Sequence, residues 1–160
     1  MEDEYSEEIL ADLLANALRR AQEGKDDDAV ARLYRAVEMI GQMLLLQQGI
    51  NTSAVRLEQL PSSWQTSYQG SPEPLKLGQE KDFLLLESLG HPVGKRYCEN
   101  KNLRNYLSKR NSSVLAHGIE PMSREVFQEL NKETHDLALM AFPDLSLLEN
   151  KSCFPNIELL

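Results

Sequence analysis

Leucine occurs 27 times in this chain, against six valines and five isoleucines. Leucine is a strong helix former, whereas β-branched side chains suit strands. The imbalance therefore predicts an all-α chain, with no sheet expected, and 160 residues suffice for one core. We expect a single domain over 1–160, folded as a helical bundle of about five to six helices. The longest unbroken apolar run, 137–142, is far too short to span a membrane. The opening MEDEYSEE is acidic and lacks the basic start and apolar stretch of a signal peptide. A cytoplasmic location, without membrane attachment, is the resulting expectation. Cys98 and Cys153 lie far apart, in no CxxC and at no ligand spacing to histidine, so neither a disulfide framework nor a zinc site is expected.

The apolar spacing divides the chain. Over 4–23, Ile9, Leu13, Ala17 and Ala21 recur at every fourth residue, and Leu10, Leu14 and Leu18 widen the stripe. Gly24 stops this helix, and Asp26, Asp27 and Asp28 open the next, where carboxylates suit the positive helix end. Its core face is Ala29, Leu33, Ala36, Val37, Ile40 and Leu44. The pattern A-x-x-G-x-x-D-D-A-V-x-x-L-Y-x-A-V-E over 21–38 has the look of one tetratricopeptide unit, but no second copy follows, which disfavours a solenoid. Residues 50–80, with Pro61, Pro72 and Pro74, read as an irregular loop region that Trp64 and Tyr68 tuck onto the body, with room for a short helix at 53–60. A short helix over 81–89 closes at Gly90-His91-Pro92, and 100–117 is helical in pattern. Ser123 caps a helix over 124–141, whose expected buried face is Val126, Phe127, Leu130, Leu137 and Met140. Pro143 ends it, and 144–160 reads as an irregular tail.

The net charge of −8 argues against coating nucleic acid with the whole surface. The distribution is uneven. Residues 95–110, KRYCENKNLRNYLSKR, carry six cations and one acid, a local +5, which leaves −13 on the remainder. An acidic body thus bears one basic strip, and its Lys101, Arg104 and Lys109, with Ser113 just beyond it, are the candidate RNA-binding residues.

Arg110 and His117 lie at the end of that strip. Seven residues of α-helix turn about 700°, so both side chains leave one face, about 10.5 Å apart along the axis. Tyr106 and Ser113 lie close to the same line, beside the apolar column of Leu103, Leu107 and Val114. Arginine offers a fixed bidentate fork for phosphate oxygens, and histidine titrates near neutrality. Together they suit attack of an RNA 2′-hydroxyl on its own phosphate, which needs proton transfer and charge stabilisation rather than a metal or cofactor. One histidine cannot be acid and base on opposite sides of one phosphate. A symmetric homodimer would supply two.

Arg110-Asn111, five residues, then His117 resembles the R-N…H signature of HEPN ribonuclease domains, within their R-x4-6-H spacing. The wider stretch 102–118, NLRNYLSKRNSSVLAHG, followed by Glu120-Pro121 and a helix, is similar to the C-terminal domain of type III CRISPR-associated CARF–HEPN ancillary ribonucleases, as is the opening pattern over 21–38. The resemblance covers most of 5–142. It implies a HEPN-like helical bundle that dimerises and cuts single-stranded RNA without metal to 2′,3′-cyclic phosphate ends, in antiviral defence. It implies Arg110, His117 and Asn111 as the catalytic residues. Members usually carry an N-terminal CARF sensor; this chain shows no βαβ alternation and no Gly-rich strand–turn–helix, so a CARF domain is expected to be absent from it and possible only in a longer protein.

Two other functions fit the same residues. One is a HEPN toxin of a toxin–antitoxin pair. The other is a non-catalytic helical interaction module. His91, before Pro92, reads as structural, and His135, beside Asp136, as solvated. The consecutive Asp26-Asp27-Asp28 would point in different directions on a helix, so no metal site is expected there.

Overall fold

A computed structural model describes residues 5–115 and 122–152, with the side chains of 110–115 and 151–152 outside that description. Among the described residues it contains eight α-helices, one 3₁₀ turn and no strand. They run α1 (Glu7–Gln22), α2 (Asp26–Gln47), the 3₁₀ turn Leu57–Gln59, α3 (Ser62–Tyr68), α4 (Gln79–Ser88), α5 (Pro92–Glu99), α6 (Lys101–Leu115), α7 (Arg124–Ala141) and α8 (Leu145–Ser152). The all-α bundle is what leucine usage predicts, more finely divided than five or six helices.

α1 starts at Ser6, whose hydroxyl accepts from the Ile9 amide at 3.2 Å. Glu7 and Glu8 in its first turn and Arg19 and Arg20 in its last complement the helix dipole. Its buried stripe is Leu10, Ala11, Leu14, Ala17 and Ala21. Ile9 and Leu18 face outward instead. A strict interval of four drifts about 40° per step around a helix, while mixed threes and fours stay over the core. Gly24 turns the chain at φ +75°, a left-handed value that only glycine adopts without strain. α2 then packs between α1, α4 and α7, which explains why apolar residues surround so much of it.

α4 and α5 form the second hairpin. His91 caps α5, its Nδ1 accepting from the Val93 amide at 3.2 Å, and Pro92 takes the first helical position. The structural role expected of His91 is therefore a cap. Gly94 permits the close approach of the two helices: a Cβ there would stand 2.3 Å from the Glu87 nitrogen. Phe83 and Tyr97 stack across the hairpin, centroids 4.1 Å apart.

Three segments differ from expectation. Residues 50–80 are more ordered than a loop: Val55 and Leu75 form an isolated antiparallel bridge, both bonds 2.8 Å, and Leu77 donates to the Thr52 carbonyl. The helix expected over 53–60 shrinks to the 3₁₀ turn, and α3 follows it. The Lys81 ammonium lies 5.6 Å from the Trp64 ring, consistent with a tucked loop. On α7, Thr134 and Ala138 are buried while Met140 is 45% exposed, because the face of α7 packed chiefly on α2 runs through Phe127, Leu130, Thr134, Leu137 and Ala138. The first part of the tail is α8, docked through buried Leu145 and through His135, whose Nε2 lies 3.0 Å from Glu149. His135 is thus a half-buried link between α7 and α8, not a solvated side chain. Cys153 lies outside the described residues.

Candidate active site

α6 carries every described residue of the expected site. It begins at Asn100, whose side-chain oxygen accepts from the Leu103 amide at 3.0 Å while its amide nitrogen donates to Glu133 at 2.6 Å. One side chain thus caps α6 and ties it to α7. The basic strip breaks at this point: Lys95 and Arg96 belong to α5, and the remaining cations to α6. Leu103 and Leu107 are buried and hold α6 against the bundle.

Helical backbone continues through Asn111, Ser112 and Ser113 to Leu115, although these residues are mediocre helix formers. The backbone of Arg110 and Asn111 is therefore on α6, about two turns beyond Leu103. Ser113 lies on the next turn. His117, the expected catalytic partner, lies outside the described residues. The chain returns at Met122, whose amide donates to Asp27 at 2.8 Å. Arg124 pairs with Asp26 at 3.0 Å and donates to the Ala21 carbonyl. Two of the three consecutive aspartates thus fasten the start of α7 to the α1–α2 turn.

The candidate RNA-binding cations divide. Lys101 and Lys109 are exposed, the Lys109 ammonium 5.9 Å from the Tyr106 ring. Arg104 turns sideways to Glu80 of α4, Nη2 to Oε1 at 2.7 Å, and reaches the Cys98 carbonyl at 3.4 Å. The Glu80 hydrogen bond raises the Arg104 pKa further, on a guanidinium that is charged in any case.

Beside α6 opens a cleft of about 400 Å³. Lys101, Arg104, Asn105, Leu107 and Ser108 form one wall; Tyr34, Gln79, Glu80 and Tyr97 form the other. Gln79 is fixed by donating to the Tyr34 carbonyl at 3.2 Å. Burial pushes the Tyr97 phenol up, and burial with a hydrogen bond to Glu87 pushes the Cys98 thiol up to about 12. Cys98 stays protonated and is a poor nucleophile. Reading the sequence missed the far wall of this cleft, because α2, α4 and α5 supply it from positions without local pattern. Glu80 and Arg104 are 24 residues apart.

No helix among the described residues is long and apolar enough to cross a membrane. The bundle, with its arginine on one long helix, has the character of a HEPN-like domain. The family model described as the Csm6 HEPN domain matches residues 2–141, and the chain belongs to that family, the HEPN domain of type III CRISPR-associated ribonucleases. The match spans both stretches whose resemblance pointed there, 21–38 and 102–118. The curated proteins and the solved structures yield no match.

Proposed function

We propose that this HEPN domain is a metal-independent endoribonuclease acting on single-stranded RNA in type III CRISPR antiviral defence. Membership of the Csm6 HEPN domain family carries the reading, supported by the continuous helix that bears Arg110 and Asn111. Arg110 binds the phosphate and stabilises the charge that develops on the phosphorane. His117 moves the proton of the attacking 2′-hydroxyl or of the leaving oxygen. Asn111 helps position these groups, and Lys101, Arg104, Lys109 and Ser113 hold the strand. Two copies of the chain pair the Arg110–His117 faces, so that acid and base both reach one phosphate. A CARF domain in a longer protein would regulate this unit.

The chemistry makes the RNA its own nucleophile, so the 5′ product must end in a 2′,3′-cyclic phosphate. Replacing the 2′-hydroxyl at the cut position with hydrogen or methoxy abolishes cleavage there on this account. Undiminished cutting of such a substrate would overturn the mechanism.

A further inference from the structure

We propose that the cleft between α6 and the α4–α5 hairpin binds one nucleotide of the RNA, away from the scissile phosphate; this rests on the ribonuclease reading. Its chemistry is that of a nucleotide site. Lys101 and Arg104 against Glu80 leave a net +1 within it, the complement of one phosphodiester, on a chain of net −8. Tyr34, half-buried, gives aromatic surface for a base, while Tyr97, buried and stacked on Phe83, closes the wall behind it. The exposed Asn105 offers an amide that can both donate to and accept from a base edge. The volume falls within the roughly 300–1,000 Å³ common for ligand sites.

Helix register sets its relation to the cut. Lys101 and Arg110 are nine residues apart, a turn of about 900°, which places them on opposite sides of α6. Lys109 and Tyr106 occupy the arc between. For a helix of about 10–12 Å diameter that arc is roughly 16–19 Å, and with the axial rise of about 13.5 Å the path is roughly 21–23 Å, the span of a few nucleotides. A strand cut at Arg110 and crossing Lys109 thus has a nucleotide a few positions from the cut delivered to the cleft. Glu80 acts as a charge limiter: by neutralising Arg104 it keeps the site matched to a single phosphate.

The test is a titration of the full chain with each of the four nucleoside 5′-monophosphates, and with inorganic phosphate, followed by NMR. At least one nucleotide should bind in the millimolar range and several-fold tighter than phosphate. Lys101→Ala should weaken it by roughly threefold to fivefold, and Glu80→Gln should tighten it by a similar factor, as expected for one partly exposed charge. Asn105→Ala should level the differences among the four bases. Absence of nucleotide binding, equal binding of phosphate, or indifference to Lys101→Ala and Glu80→Gln overturns the subsite. The titration needs no cleavage. Nucleotide binding with these responses in a chain that cuts no RNA keeps the subsite and rejects the nuclease.

Discussion

Asp82 has no exposed surface, and neither carboxylate oxygen has a hydrogen-bond partner. It faces α2, its Cβ 3.2 Å from where a Cβ on Gly41 would stand. Burial, with a smaller contribution from Glu38, pushes its pKa from 3.8 to about 8. Between those values the folded chain holds a proton that the unfolded chain has lost. Stability therefore falls as pH rises from about 4 to about 8, by at most about 1.4 kcal/mol per pH unit from this group. Asp82→Asn removes that loss, so urea melts should show the variant gaining on the wild type between pH 5 and pH 8. Parallel pH profiles would contradict the assignment. Gly94 makes a second prediction. Its missing Cβ would sit 2.3 Å from the Glu87 nitrogen and 2.6 Å from the Leu86 carbonyl carbon, both backbone atoms that cannot swing away. Gly94→Ala should destabilise by at least the roughly 1–3 kcal/mol typical of overpacking, measured by the same melts.

At the scale of elements, α6 depends on its cap. Asn100→Ala loses the bond to the Leu103 amide and the tie to Glu133. Thermal melts should show a loss of about 0.5–2 kcal/mol, with frayed exchange protection at the start of α6. The long helices were legible because their periods are: α1, α2 and α7 begin within a few residues of the starts expected at 4, at Asp26 and after Ser123. α5 was not legible as a separate helix. Its start, His91-Pro92, reads equally as a turn, and the hydrogen bond that makes His91 a cap is invisible in sequence. α3 and α8 were missed because seven or eight residues show too little period to stand out. Of the proposed site, Arg110 was readable from spacing on one helix and the α6 cations from the charge distribution, while Asn111 came only with the family resemblance. The partnership of Arg104 with Glu80 was not readable, since it follows from how α4 and α6 pack.

The whole molecule sets an acidic body against a basic strip. On our account the strip holds an RNA backbone that the body repels, so binding should weaken steeply with salt, as counterion release requires. A chain that carries one Arg110 and one His117 needs a second copy for paired acid and base. Sedimentation should therefore show a dimer, and mixing Arg110→Ala with His117→Ala chains should partly restore activity. Full activity in a chain that stays monomeric would contradict the composite site. The central claim rests on two side chains performing metal-free chemistry. The most direct measurement is cleavage of single-stranded RNA in EDTA by the wild type, Arg110→Ala and His117→Ala, with circular dichroism of all three. The account predicts cutting by the wild type and a loss of roughly 10²–10³-fold or more in each variant, with helicity unchanged. Wild-type rates in His117→Ala, or wild-type cutting that vanishes in EDTA, would contradict it.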